Sequence, residues 1–248
     1  MKKTILFGCF VLIFAFSTLG VFAQTVHRPF NGNNLEGWKP VDSNPDTFLW
    51  ITGNVDLDQD HGNRSFISRA IASDDSDSRV MINMAGPDWG RVREQRGVDL
   101  YTEQTFGDCT VEIEFMVAKN SNSGVYLMGE YEVQVLDSWG KTGELSQGDV
   151  GAIYSAAAPK VNASLEPGKW QKFVIDFEAP RFDADGKKIK DARFLKITLN
   201  GKVVQENVDV TKGSTGGGIT GQESAKGPLM LQGNHGPVAY RNIIITEK

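Results

Sequence analysis

The sequence predicts an all-β fold, a two-sheet jelly-roll sandwich, on three observations. Helical periodicity is scarce, strand-like runs recur along the chain, and clusters of Gly, Asn, Asp and Pro punctuate them. The runs are Phe48–Ile51, Thr110–Ala118, Gly124–Met128, Tyr131–Leu136, Lys169–Glu178, Phe194–Asn200, Lys202–Val208, Gly227–Gln232 and Val238–Thr246. Many short strands at this spacing close into two packed sheets. Asn200-Gly201 is a two-residue hairpin signal, and Met128-Gly129-Glu130 is a short Gly-containing link that reads as another. Within the second of those hairpins Tyr131, Val133 and Val135 alternate with Glu132 and Gln134, so one face of the strand is apolar and the other polar. A polar face of this kind is how a sheet presents chemistry to a groove; it is also how an ordinary solvated face looks.

Residues 1–23 read as a secretory signal. Lys2 and Lys3 precede an apolar run from Ile5 to Val21, and Val21-Phe22-Ala23 offers the cleavage site; a retained anchor is the alternative. Cys9 lies early in the apolar run rather than at its end, which argues against a lipid-modified cysteine. Beyond it no segment approaches the roughly 20 apolar residues of a membrane helix, so no membrane span is expected after cleavage. Residues 24–248 read as a single domain, with neither an internal repeat nor a linker-like boundary. Its formal charge is two units more negative than the −5 of the full sequence, and its Lys and Arg are scattered, which excludes a typical nucleic-acid binder. Cys109 alone remains, so no intrachain disulfide forms, and it reads as a small packed residue. Export with a free cysteine suggests a bacterial periplasmic or extracellular setting.

Two segments break the strand rhythm. Asp74 to Gly97 reads as a long loop or insertion walling a site; its Asp74-Asp75-Ser76-Asp77 run lacks the spacing of a calcium loop. Gly213 to Gly221, with three consecutive glycines, reads as a mobile loop. It lacks the strand–loop–helix context of a phosphate cradle, so no nucleotide is expected.

Several ordered motifs together resemble the 3-keto-disaccharide hydrolase family, also described as 3-keto-glucoside 1,2-lyase/3-keto-2-hydroxyglucal hydratase. They are Phe30-Asn31-Gly32 through Gly37-Trp38, Asn122-Ser123-Gly124-Val125-Tyr126-Leu127, Tyr131 through Ser138, Gly151-Ala152-Ile153-Tyr154, Pro167-Gly168-Lys169-Trp170-Gln171, Gly227 through Gln232, and His235-Gly236-Pro237-Val238 with Tyr240-Arg241-Asn242-Ile243. Ser155 stands where that family often has Gly, and Asn234 where an Asp is common. The resemblance implies a concanavalin-like, laminarinase-like jelly roll and chemistry on 3-keto sugars. A ketone at C3 acidifies the C2 hydrogen; its removal permits loss of the C1 substituent, and water then adds back, for net hydrolysis. Such chemistry needs a base, an oxyanion stabiliser and a proton source. It requires no nucleotide, and a divalent metal would be compatible with it without being required by any ligand motif in the sequence.

On that basis Glu132 is the first candidate for base or metal ligand. His235 is the candidate for proton transfer, with a loop histidine bonded to backbone as its alternative. Arg241 is the oxyanion stabiliser or, equally, a salt-bridge residue pinning the last strand. Gln134, Gln232, Tyr126, Asp137, Tyr154 and Lys160 are candidates for binding a carbohydrate substrate, with Asp149 and Trp139 behind them. Two alternatives remain at this level. Glu132-x-Gln134-x-x-Asp137 resembles the Glu-x-Asp-x-x-Glu pattern of retaining laminarinase-type glycosidases, whose two carboxyls lie about 5–5.5 Å apart; Asp137 would need a bulge to rejoin Glu132. A non-catalytic carbohydrate-binding module would need only the aromatic and amide residues. The sequence carries no signal for an oligomeric state.

Overall fold

The computed structural model describes residues 24–42, 49–69, 80–89 and 91–248. The expected leader at 1–23 and the Asp74–Asp77 run lie outside the described residues. In chain order the strands are β1 (Val26–His27), β2 (Trp38–Pro40), β3 (Trp50–Leu57), β4 (Phe66–Arg69), β5 (Val80–Asn83), β6 (Leu100–Phe106), β7 (Cys109–Val117), β8 (Asn122–Leu127), β9 (Tyr131–Leu136), β10 (Gln171–Glu178), β11 (Arg181–Phe182), β12 (Lys188–Lys190), β13 (Ala192–Leu199), β14 (Lys202–Val210), β15 (Gly227–Leu231) and β16 (Val238–Glu247). Among the described residues there is no α-helix, and so none long and apolar enough to cross a membrane.

The fold is the all-β jelly-roll sandwich expected. The larger sheet runs β14-β13-β10-β7-β16-β5-β3-β4, with β1 added beside β16, and the smaller runs β2-β6-β15-β8-β9. Period-two alternation explains the layering. Along β7, Val111, Ile113 and Phe115 are buried while Thr110, Glu112 and Glu114 are half-exposed. Val125, Leu127, Tyr131, Val133, Val135, Leu229 and Leu231 of the smaller sheet pack onto the inner face so formed. The Tyr131 and Phe177 rings meet across the sheets at 5.5 Å between centroids, and the Tyr240 hydroxyl lies 2.8 Å from Ser123 Oγ. Both expected hairpins form. Asn200 and Gly201 take φ of 51° and 79°, and Met128 and Gly129 take 57° and 70°, the doubly positive pattern of a type I′ turn.

The Asp74–Gly97 expectation needs correction. Val80–Asn83 is β5, a fully buried strand between β3 and β16, and not part of a loop. Its Met81 faces the main core, while Ile82 joins Phe66, Val80, Met116, Ala118 and Ala239 in a second cluster. A four-residue strand buried on both faces shows no alternation, so its sequence reads as a short apolar patch. Because Ile82 is fully enclosed, Ile82→Ala should lower unfolding free energy by about 2–5 kcal/mol in denaturant titrations, where a loop residue would cost almost nothing.

Candidate active site

The register of the smaller sheet brings the site together. Tyr101 pairs with Met230, Met230 with Tyr126, and Tyr126 with Glu132. One step along, Gln232 is joined to Gly124 by a backbone bond, and Gly124 pairs with Gln134. Because alternate residues face the core, these residues line the sheet's other face. Gly124 opens the floor: a Cβ there would sit 2.3 Å from Glu132 Oε1 and 2.8 Å from the Tyr126 ring, so the missing side chain is the space the carboxylate occupies. The polar face is not solvated. Glu132 is 3% exposed, Gln134 2% and Gln232 7%. The free edge of β9 is covered by 151–154, through Gln134 N to Ala152 O at 2.9 Å and Tyr154 N to Glu132 O at 3.1 Å. Ser155 closes that cover at φ 59°, a left-handed conformation in which Gly carries no Cβ penalty.

The polar groups form a chain. Gln232 Nε2 donates to the Tyr126 hydroxyl at 3.2 Å, and that hydroxyl lies within hydrogen-bonding reach of the Glu132 carboxylate. Among the described residues the buried Gln232 Oε1 has no partner, which leaves an acceptor open on the floor. Gln134 donates to Asn122 Oδ1 at 2.6 Å. Burial drives the Glu132 carboxyl up to about 7; the Tyr126 hydroxyl opposes the shift and the charge of Asp99 adds to it. Burial also raises the Tyr126 phenol, reinforced by the charge on Glu132.

Asp99, just before β6, is the group sequence reasoning missed. It is 8% exposed and raised by burial, against hydrogen bonds from Gly233 and Asn234. The signal was present in Val98-Asp99-Leu100-Tyr101, an alternation that places Asp99 and Tyr101 opposite two buried apolar residues. Asp99 supports the turn that carries His235. Asn83 Nδ2, from β5, donates to Gly233 O at 2.6 Å and Gly236 O at 2.8 Å, Ser121 Oγ donates to Pro237 O at 2.7 Å, and Asn122 N donates to His235 O at 3.3 Å. His235 stays exposed beside Trp89, the ring centroids 6.3 Å apart. Desolvation pulls its imidazole below the ordinary value, with Asp99 acting the other way and Arg96 reinforcing the fall.

The Gly213–Gly221 segment is fastened rather than loose. The buried Glu130 carboxylate accepts from Thr220 N at 2.8 Å, Thr220 Oγ1 at 2.7 Å and Gly221 N at 3.0 Å. Ile219 N donates to Gly129 O, and Thr215 Oγ1 accepts from Glu132 N at 2.8 Å. A Cβ on Gly217 would come within 2.7 Å of the Tyr126 hydroxyl, so this loop backbone lies against the floor. Tyr154, 41% exposed, stands beside Gly216 on the rim.

Other candidates lie elsewhere. Arg241 follows the inward Tyr240 on β16 and so projects from the opposite face of the larger sheet, where Nε donates to Glu114 at 2.7 Å and the guanidinium lies 4.0 Å over the Trp170 ring. It is the strand-pinning residue, not an oxyanion group. Asp137 accepts from Asn120 N and Trp139 N, which turns its carboxylate to local backbone instead of toward Glu132. Lys160 forms a half-exposed ion pair with Glu206. Burial works against it, but bonds from Lys141 and Ser146 hold Asp149 below the usual carboxylate range. The buried Cys109 thiol is pushed up to about 12 by burial, as a packed residue should be. Among the described residues no group of three or more His, Cys, Asp or Glu could hold a metal ion.

The smaller sheet of this jelly roll thus carries a buried carboxylate among amides and a tyrosine. Residues 26–246 match the 3-keto-alpha-glucoside-1,2-lyase-like domain, and the chain belongs to that family. Among solved structures, a candidate glycosyl hydrolase from Parabacteroides distasonis shares 26% identity, with 90% of this chain and 84% of that one aligned and a TM-score of 0.62. A second from the same organism aligns 90% of this chain and 94% of its own at 16% identity and a TM-score of 0.56, a likeness of fold. No curated protein shows significant similarity.

The Glu132 shift carries a stability signature. Its folded pKa is raised, from 4.5 to about 7, so the folded state holds the proton more tightly than the unfolded one. The contribution of Glu132 to stability is therefore greatest below pH 4.5, falls through the window up to about 7, and levels off above it. Glu132→Gln removes this term. Relative to wild type, the variant should gain on the order of 3 kcal/mol between pH 4.5 and pH 8, read from paired denaturant titrations.

Proposed function

We propose that this protein cleaves 3-keto-glycosides by elimination and hydration, with Glu132 as the C2 base. The observation that carries the reading is the Glu132 carboxylate itself, buried on the sheet floor in the space left by Gly124 and poised near neutrality. A base with that pKa is matched to abstracting a proton acidified by a neighbouring ketone. Taking the C2 hydrogen as a proton leaves an enolate, which expels the C1 substituent. His235, which enters the cycle protonated on both ring nitrogens, gives its Nε2 proton to the departing oxygen. Water then adds at C1, giving a proton to His235, while Glu132, its proton exchanged with solvent once the leaving group has gone, delivers a proton to C2, so both groups end as they began. Tyr126, backed by Gln232, supplies an O–H donor beside the carboxylate, and the vacant Gln232 acceptor suits a sugar hydroxyl. Tyr154 offers a ring at the rim. In this reading residues 24–248 act as one catalytic unit, outside the cytoplasm, on a carbohydrate oxidised at C3 beforehand.

A two-carboxylate glycosidase is the second reading, because Asp99 is a carboxylate within electrostatic reach of Glu132. Against it, Asp99 already accepts three hydrogen bonds from Gly233 and Asn234.

The test is turnover of a chromogenic 3-keto-glucoside beside its unoxidised parent. Only the keto sugar should be cleaved, and Glu132→Gln should lose on the order of 10²–10⁴-fold in kcat. Cleavage of the parent would favour the two-carboxylate enzyme; binding without cleavage of either would make this a binding module. Arg241→Gln, remote from the floor, should keep turnover within about twofold while costing about 1 kcal/mol or more of stability through the lost Glu114 and Trp170 contacts.

A further inference from the structure

We infer that Asp99 and Asn234 are positioning residues that lock His235 into its Nδ1–H tautomer, leaving the Nε2 lone pair as its proton-transfer atom. The inference deepens the proposed function, since it rests on His235 being the second proton-transfer group there.

The argument runs outward from the buried end. Asp99 Oδ1 accepts from Gly233 N at 2.8 Å and Asn234 N at 3.2 Å, and Oδ2 accepts from Asn234 Nδ2 at 3.2 Å. A carboxylate only accepts, so the Asn234 amide must present its NH2 side to Asp99. Its carbonyl Oδ1 is thereby turned the other way, where it meets His235 Nδ1. A carbonyl oxygen also only accepts, so Nδ1 must carry hydrogen. A neutral imidazole has one N–H, and Nε2 is left with its lone pair. Free imidazole side chains in water favour the opposite form, so the relay performs a selection. The Asn234 amide passes the direction of the Asp99 carboxylate one group further out.

The protein contains its own references, because it has three histidines. His27 Nε2 lies 2.9 Å from Glu247 Oε1, while its Nδ1 lies 2.8 Å from the Gln104 amide nitrogen, which demands the Nε2–H form. His61 Nδ1 lies 2.6 Å from Asp58 Oδ2, which demands Nδ1–H. Long-range 15N–1H correlation spectra of the neutral imidazoles therefore display both patterns in one sample, with His235 assigned by loss of its signals in His235→Gln.

Wild-type His235 should match His61 and not His27. Asn234→Leu, which offers His235 Nδ1 no acceptor, should revert to Nε2–H. On the 3-keto substrate Asn234→Leu should lose on the order of 10–100-fold in kcat with KM within a few-fold. An Nε2–H pattern in the wild type, or an unchanged pattern in Asn234→Leu, overturns the relay. Should Asn234→Leu not fold, the wild-type spectrum alone decides. The tautomer is read without substrate, so a wild type inactive on keto sugars would defeat the proposed reaction while the spectra still judged the relay.

Discussion

Register in the smaller sheet is the constraint on which the site depends. Along β9, Tyr131, Val133 and Val135 enter the core while Glu132 and Gln134, the residues between them, form the floor. A slip of one residue would send the carboxylate into the hydrocarbon interior and three apolar side chains into the groove. The Met128-Gly129 turn fixes the pairing of β8 with β9, and Ser123 to Tyr240 ties β8 to the opposite sheet. The core therefore sets the position of the chemistry.

Burying that chemistry is unfavourable, and the fold offsets it with hydrogen bonds. Glu130, three residues beyond Leu127, holds the glycine-rich loop through three bonds to its carboxylate, and the loop in turn lies against Tyr126. Asn83, Asp99, Ser121 and Asn122 come from three separate parts of the chain to hold the turn at 233–237. Glu132 is the exception: its environment leaves the carboxyl titrating near neutrality, a condition that suits a base better than a structural residue. A large apolar core makes one such group tolerable.

Most of the sandwich was legible in the sequence because alternation and Asn-Gly or Gly-containing turns are local signals. They located β7 to β10 and β13 to β16 to within a few residues, and they placed Glu132 and Gln134 together on the polar face of β9. What stayed hidden depends on partners distant in sequence. β5 is too short and too buried to alternate. Asp99 gains meaning only from Gly233 and Asn234, which lie far along the chain. Arg241 could be separated from the site only by knowing that Tyr240 points inward and that Glu114 and Trp170 await it on the other face. The glycine-rich loop read as mobile because its anchor, Glu130, sits in a different hairpin.

The central claim is that Glu132 removes the proton at C2 and, after exchange with solvent, delivers one back. The direct measurement is the isotopic fate of that position when the 3-keto-glucoside is turned over in D2O. The account predicts product carrying deuterium at C2, formed by the wild type and slowed on the order of 10²–10⁴-fold in Glu132→Gln. Product that keeps its original C2 hydrogen, or unchanged deuterium incorporation in Glu132→Gln, would contradict it.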